Sequence, residues 1–192
     1  MAEGHAGMAD RELFESLALP HLDALYRAAL SLCGQRAGAE DLVQAACLKA
    51  FERFESFQAG SNCKAWLLRI LRNTWIDELR RRKVAGTQLE LWEHLAAEPQ
   101  TRVQAAWTDA EELLEMEAFA DPEVIRALGE LPADQRLTLL LVDVEQFSHD
   151  EAAEVLDVPT GTVKSRASRA RAAMRDKLAQ YARDRGFTGR RK

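Results

Sequence analysis

The 192-residue sequence predicts an all-α protein, with two small helical domains joined by a flexible acidic linker. Three observations predict this fold class. Only ten glycines and five prolines occur, which is few for a turn-rich β fold. Apolar residues recur at helical spacing along most of the chain. Finally, residues 84–124 carry ten acidic residues against one arginine, a net charge of −9, between two basic stretches.

Charge and hydropathy divide the chain into five segments. We expect a disordered N-terminus at 1–10, a first helical domain at 11–84, the linker at 85–121, a second helical domain at 122–186 and a basic tail at 187–192. The first ten residues are small and polar, unlike the apolar centre of a signal peptide. No run of about 18 apolar residues occurs. These features predict a cytoplasmic protein with no membrane insertion.

The residues that usually carry catalysis form no recognisable set. Cys33, Cys47 and Cys63 lack metal-ligand spacing, so buried or half-buried thiols are the favoured interpretation, with zinc binding or redox sensing as the alternative. The four histidines are scattered, and no phosphate-binding glycine loop is present. The sequence therefore predicts no enzyme, no metal, no cofactor and no small-molecule substrate.

The first domain is expected to be mostly helical up to residue 54. Residues 11–32 have helical periodicity, with a break or a first-turn proline at Pro20. Residues 34–38 are expected to form a loop, and residues 39–54 a helix with a wide apolar face. Residues 57–63 have the composition of a second short loop.

Residues 64–84 predict a helix that is both aromatic and basic. Between residues 63 and 83 there are seven basic residues against two acidic ones, a net charge of +5. Such a helix suits single-stranded nucleic acid, because aromatic rings stack on bases while cations follow the phosphates. Alternatively, Trp66 and Trp75 are core residues and the basic run only favours the helix C-terminus. For Trp66 we favour the core, and for residues 80–83 phosphate contact.

Three helix starts are predicted in the second domain. Asp121 is expected to cap a helix whose first residue is Pro122. Pro132 separates this helix from another at 133–146. Ser148 with Glu151 three residues later has the pattern of a capping box, which predicts a helix from 149.

The end of this third helix and the start of the next predict a helix-turn-helix. Pro159 ends the helix near Asp157, since the residue before a proline avoids the helical region. Thr160 is expected to cap a long basic helix, and residues 161–192 carry eleven basic residues against two acidic ones, a net charge of +9. This arrangement is typical of a helix-turn-helix that reads DNA. The alternative is an ordinary helical hairpin with a solvated basic face.

Four motifs in one order resemble the bacterial extracytoplasmic-function (ECF) sigma factors. They read AEDLVQAACLKAF at 39–51, AWLLRILRN at 65–73 after Phe57, LPADQR at 131–136, and GTVKSR at 161–166 followed by RAR at 169–171. The stretch from Phe57 to Asn73 also resembles the subgroup that controls the general stress response. The resemblance implies sigma region two, a linker, and sigma region four with its helix-turn-helix.

The resemblance also implies partners and contacts. The partners are core RNA polymerase (the β′ clamp helices and the β flap), promoter DNA and an anti-sigma factor. The β′ clamp helices would meet Asp41, Leu42 and Gln44. The minus-ten element would meet Phe57, Ser61, Asn62, Arg69, Arg72, Asn73 and Arg80 as the DNA melts. The upstream minus-thirty-five element would meet Lys164, Ser168 and Arg169 at base edges and Thr162, Ser165 and Arg166 at phosphates.

Two other functions were weighed against a sigma factor. A stand-alone helix-turn-helix regulator would usually dimerise to read two half-sites, and the sequence offers no heptad for this. It would also leave the aromatic and basic helix at 64–84 unexplained. A sigma-like module that only binds a regulator would not need the basic surface from Lys164 to Arg171.

Overall fold

The N-terminal domain is a helical bundle. The computed structural model describes residues 3–84 and 121–186 of the chain. Its first part holds α1 (Glu3–Ala18), a 3₁₀ turn (Leu19–His21), α2 (Leu22–Cys33), α3 (Arg36–Glu52), a second 3₁₀ turn (Phe54–Ser56) and α4 (Cys63–Val84). The predicted loop at 57–63 and the basic helix after it are confirmed.

The C-terminal domain is built from shorter helices and one long one. It contains α5 (Pro122–Gly129), α6 (Ala133–Leu139), a π-helical turn (Leu140–Val144), α7 (His149–Leu156) and α8 (Thr160–Asp184). The Asp121 side chain accepts the Glu123 N–H at 3.0 Å, with Pro122 at the first helical position, as predicted. The capping box is also confirmed: Ser148 Oγ accepts the Glu151 N–H, and Glu151 Oε2 accepts the Ser148 N–H.

Three expectations about element ends need correction. Residues 3–10 were expected to be disordered but form the first half of α1. The loop at 34–38 is shorter than expected, because Gly34 in the left-handed region (φ 71°) ends α2 and α3 already begins at Arg36. Thr160 does not cap α8; Pro159 precedes the helix, and the Thr160 hydroxyl donates to Asp150 Oδ1 at 2.8 Å. The linker expectation for 85–120 and the tail at 187–192 lie outside the described residues.

Small residues let the helices of the N-terminal domain approach closely. Four alanines are fully buried where α2 and α3 pack together: Ala28, Ala29, Ala39 and Ala50. Leucines from α2, α3 and α4 fill the space around them, and Trp75 closes the far end at 8% exposure. The apolar periodicity seen in the sequence therefore marks a real core.

The same apolar core continues into the C-terminal domain. α2 packs against α6, and α4 packs against α7. Leu137, Leu141 and Val155 belong to one buried cluster with the leucines of α2 and α4. The two predicted domains are thus packed together in this structure, and α4 and α7 cover one another.

A buried arginine forms one of the polar links across this boundary. Arg136 on α6 is 3% exposed, and its Nε donates to the Ser31 carbonyl of α2 at 2.5 Å. Its Nη1 donates to the carbonyls of Gly129 and Leu131, each at 3.1 Å. Burial lowers the pKa of Arg136 to about 10, which leaves the guanidinium charged at neutral pH. The guanidinium of Arg136 therefore donates hydrogen bonds both to the α5–α6 turn and to the N-terminal domain.

A buried glutamate forms the second link. The π-helical turn ends at Glu145, whose N–H donates to the Leu140 carbonyl at 2.9 Å. The carboxylate, 3% exposed, accepts from Arg27 of α2 at 2.7 Å and pairs with Lys64 of α4. Lys64 Nζ also lies 5.2 Å from the centre of the Phe147 ring. Two cations of the N-terminal domain therefore hold one anion of the C-terminal domain.

We expect Arg136→Met to lower the free energy of unfolding by about 3 kcal/mol, because it leaves several buried carbonyls without a donor. Urea denaturation followed by far-UV circular dichroism measures the change. Arg126→Met is the matched control, since Arg126 lies on exposed α5 surface with only surface ion pairs and should cost about 1 kcal/mol or less. Equal losses in the two variants would contradict the role assigned to Arg136.

Glu145→Gln should weaken the contact between the domains, because removing one member of a buried ion cluster costs on the order of 3 kcal/mol. We expect a larger radius of gyration by small-angle X-ray scattering, with unchanged helix content. Glu154→Gln, an exposed carboxylate on α7, is the control and should scatter as the unmodified chain does. A Glu145→Gln protein as compact as the control would refute this role for the glutamate.

Candidate nucleic-acid interface

Local backbone chemistry builds the helix-turn-helix. Asp157 adopts the left-handed conformation (φ 50°, ψ 51°) and its N–H donates to the Ala153 carbonyl, which ends α7. Aspartate tolerates this region better than most residues, since its short polar side chain can bond locally. Pro159 then sets the entry into α8. The turn predicted around Asp157 and Pro159 is confirmed.

Three small apolar residues orient α8. Val163, Ala167 and Ala170 are fully buried. With 3.6 residues per turn, this inward stripe places Lys164, Ser168 and Arg169 on the outer face, where all three are exposed. The side chains predicted to face base edges are therefore accessible.

The three predicted phosphate contacts lie at the edge of that face. Thr162, Ser165 and Arg166 are half-buried. Ser165 Oγ donates to the Thr162 carbonyl at 2.9 Å, and Arg166 Nε lies 3.0 Å from Asp134 Oδ2 of α6. A second arginine of α8 is also paired with a carboxylate: Arg171 donates from Nε and Nη2 to Asp143, which raises the pKa of Arg171. Carboxylates of α6 and of the π-helical turn thus hold two arginines of α8.

α4 exposes a second basic face. Leu67, Leu71 and Trp75 point inward, whereas the predicted DNA contacts Arg69, Asn73 and Arg80 are exposed. Trp66 is half-buried against the core, so the core interpretation of this residue is confirmed.

Arg72 lies between the exposed and the buried side of α4. Its Nη1 donates to Asn73 Oδ1 at 3.1 Å. Burial is the main cause that lowers its pKa, while nearby Asp157 raises it and the charges of Arg166, Arg69 and Arg80 lower it further. Because Arg166 belongs to α8, the basic faces of the two domains lie near one another in this packing.

An aromatic ladder supports the loop at 57–63. The Phe14 ring lies 5.3 Å from both Phe51 and Phe54, in edge-to-face geometry. Phe54 stacks on Phe57 at 6.0 Å, and Phe57 meets Trp66 at 5.1 Å. Edge-to-face and stacked pairs of this kind stabilise beyond their buried area. The loop that was predicted to meet the minus-ten element is therefore anchored by rings from α1, α3 and α4.

A groove of about 700 Å³ opens beside this loop. Leu13 and Leu17 of α1 form one wall, Phe57 and Ser61 form another, and the carboxylates of Glu52 and Glu55 lie at its edge. We call it the aromatic groove. The contribution of α1 to this groove was not predicted, although the 13–14–17 spacing of apolar residues was a signal for it. The groove is large enough for a planar base.

Asn62 connects this loop to the C-terminal domain. Its Oδ1 accepts the Ala65 N–H at 3.1 Å, at the start of α4. Its side chain also lies near the Glu151 carboxylate of α7; the pKa of that carboxylate is lowered first by the Ser148 N–H, then by the Ser148 hydroxyl, and also by Asn62. The predicted minus-ten loop thus contacts the helix-turn-helix directly.

The predicted polymerase surface on α3 is accessible only in part. Asp41 and Gln44 are exposed. Leu42 is fully buried among α2 and α4, so its expected direct contact with a partner is corrected: it supports the helix from inside. Leu48 and Phe51, which are 60% and 43% exposed, were not among the predicted contact residues. Their signal was the width of the apolar face of α3, which exceeds what two neighbouring helices cover.

The described residues contain no group of three or more histidine, cysteine, aspartate or glutamate side chains that could hold a metal ion. Each of the three cysteines is half-buried, and burial raises the pKa of all three thiols, that of Cys33 to about 11. A raised pKa keeps a thiol protonated and unreactive. Within residues 3–84 and 121–186, no helix is long and apolar enough to cross a membrane.

Comparison with protein-family models matches both domains. Residues 17–84 match sigma-70 region 2, and residues 122–174 match sigma-70 region 4. The chain is 38% identical over 159 residues to the ECF RNA polymerase sigma factor EcfG of Rhodopseudomonas palustris, covering 82% of this chain and 78% of that protein. It is 29% identical over 178 residues to SigW of Bacillus subtilis, covering 88% and 90% of the two chains.

A solved structure agrees with these matches. The sigma factor RpoE of Bartonella quintana, in a co-crystal with the anti-sigma factor NepR, superposes with a TM-score of 0.65 at 33% identity. The alignment covers 86% of this chain and 96% of that one. The motif order, the two helical domains and the family matches have one explanation: the chain belongs to the sigma-70 family, as a sigma factor of the ECF type.

Proposed function

We propose that this chain binds core RNA polymerase and directs promoter recognition, DNA melting and transcription initiation, and that an anti-sigma factor holds it inactive. One observation carries the proposal: both sigma regions occur in order on one chain, each with an exposed basic helix face. The chain recognises the promoter, and the polymerase synthesises the RNA. It acts where the polymerase does, in the cytoplasm, without an enzymatic activity of its own.

The outer face of α8 reads the minus-thirty-five element. Lys164 and Arg169 can donate to guanine O6 and N7 in the major groove, and each good pair discriminates by about 1–3 kcal/mol. Ser168 lies between them and can donate or accept. Thr162, Ser165 and Arg166 along the edge reach the phosphates and set the register of α8 on the duplex.

The loop at 57–63 and α4 melt the minus-ten element. An extruded base enters the aromatic groove, where Phe57 offers a ring and Ser61 offers a hydroxyl, with Asn62 next to Ser61 in the loop. Stacking and hydrogen bonds there offset an unstacking cost of about a few kcal/mol. Arg69, Arg72, Asn73 and Arg80 then follow the backbone of the separated strand.

α3 docks on the polymerase. Asp41 and Gln44 are exposed toward solvent, and Leu48 and Phe51 add an apolar surface beside them. An exposed patch of this kind on a small domain marks an interaction surface. The β′ clamp helices are the partner for this face, and the β flap is the partner for the C-terminal domain.

Promoter binding requires the two domains to separate. The minus-ten and minus-thirty-five elements are about 25 base pairs apart, roughly 85 Å at about 3.4 Å per pair. In the packed structure α7 lies on α4, and Asn62 contacts Glu151. An anti-sigma factor that binds only this arrangement would shift the population toward it. The relative from Bartonella quintana was solved in complex with an anti-sigma factor.

Run-off transcription with core polymerase tests the proposed function. Core polymerase with this chain should transcribe from a subset of a genomic promoter library, and core polymerase alone should not. Pull-down with core polymerase gives an independent measure of binding. A chain that neither binds core nor starts transcription on any fragment is not a sigma factor.

Lys164→Ala and Arg169→Ala should each weaken recognition of the upstream element by about tenfold, since each removes one base contact. Affinity of the polymerase complex for the strongest promoter of the library measures this effect. Arg183→Ala, at the far end of α8, is the control. Core binding should stay unchanged in all three variants, and a loss of core affinity would contradict the assignment.

A further inference from the structure

Two arginines of α8 are held by carboxylates, but in different ways. Arg171 uses both Nε and Nη2 on Asp143, so its guanidinium fork is occupied by one carboxylate. Arg166 forms an ion pair with Asp134, in which the shortest contact is 3.0 Å, from Nε to Oδ2. No hydrogen bond joins its Nη1 or Nη2 to any residue of 3–84 or 121–186, and Asp134 is its only ion-pair partner among those residues. Arg166 thus keeps the outer edge of its fork available.

Asp134 is itself fixed in place. It lies in the first turn of α6, where a negative charge is favourable. Its Oδ1 accepts the Gln135 N–H at 2.8 Å, and its carbonyl accepts the Thr138 hydroxyl at 2.6 Å. Oδ2 is the oxygen nearest Arg166. The bond to Oδ1 therefore restrains the orientation of the carboxylate relative to α8.

The pair lies at the border of the DNA-facing surface. The Arg166 side chain is 23% exposed and that of Asp134 is 27% exposed. A free arginine side chain at this position would sample many rotamers before it met a phosphate, and ordering them costs free energy on binding. A carboxylate on Nε removes part of that cost beforehand. It also leaves Nη1 and Nη2 of Arg166 able to donate two parallel hydrogen bonds to two oxygens of one phosphate.

We propose that Asp134 is a positioning residue for promoter binding: it holds Arg166 by Nε so that the two Nη groups meet one backbone phosphate of the upstream element. This inference rests on the proposed function, since it assumes that α8 docks on promoter DNA. Asp143 does not act in this way, because it accepts hydrogen bonds from both Nε and Nη2 of Arg171. Asp134 touches no DNA itself and acts only through Arg166.

The test uses polymerase holoenzyme that contains the full chain, on the strongest promoter from the run-off library. Single methylphosphonate groups, which remove one phosphate charge each, are placed in turn across the upstream element. The unmodified holoenzyme should lose about tenfold in affinity at one position, as expected for a charge-assisted contact. Arg166→Gln should bind weakly and show no further loss at that position.

Asp134→Asn should lose the sensitivity at that same position, although Arg166 is intact. The slope of log affinity against log salt should also become shallower by about 0.9, the value for one phosphate contact. Asp143→Asn is the matched control, because it also removes one carboxylate that pairs with an arginine of α8. It should keep the methylphosphonate sensitivity and should not become less salt-dependent.

The competing interpretation is that Asp134 is only a negative charge near DNA. Asp134→Asn would then bind more tightly, keep the phosphate sensitivity and resemble Asp143→Asn, and this result would overturn the proposal. Arg166→Lys tests whether Asp134 positions Arg166 without altering Asp134 itself. Lysine keeps the charge but has no fork to hold by Nε, so retention of the full phosphate sensitivity in this variant would also overturn it. Failure of unmodified holoenzyme to bind any promoter would instead refute the proposed function.

Discussion

Two buried charges at the domain boundary constrain the rest of the structure. Arg136 of α6 reaches a carbonyl of α2, and Glu145 pairs with cations of α2 and α4. Charges are costly to bury, and these are tolerated because each one meets several partners. The apolar core can run through both domains only when α6 and α7 lie where these contacts put them. The ionic contacts therefore select one packing among the many that apolar surfaces alone would allow.

The contacts that stabilise the packed domains also oppose promoter binding. α4 carries one basic face for DNA and α8 carries the other, yet α7 lies on α4 and Arg166 is close enough to affect Arg72. Arg72 on one face and Arg166 on the other are within electrostatic range of each other. Apolar contacts and ion pairs favour the packed domains. Repulsion between like charges favours separated domains, and so does binding to a promoter, because its two elements lie far apart. A partner that shifts the equilibrium between packed and separated domains by a few kcal/mol therefore changes how well the chain binds a promoter.

Local chemistry was predictable from the sequence, and tertiary contacts were not. The capping box of Ser148 and Glu151 and the end of α7 near Asp157, ahead of Pro159, are local features, and both were predicted. The burial of Leu42 was not, because its helix is apolar on a wide face and periodicity does not tell which edge is covered. Nor could composition reveal that Arg136 and Glu145, two ordinary charged residues, lie inside the protein. The contribution of α1 to the aromatic groove likewise depends on a distant contact, between Phe14 and the end of α3.

The π-helical turn at 140–144 has a consequence for the evolution of this chain. A π turn holds one residue more than the α-helical turn it replaces, so it behaves as a single-residue insertion in the helix that leads to the helix-turn-helix. Losing that residue would restore an ordinary helix and rotate everything after it by about 100° about the axis. Glu145 would then leave its cations, and α8 would turn relative to α4. Homologous chains should therefore tolerate substitutions in this turn far better than a change in its length.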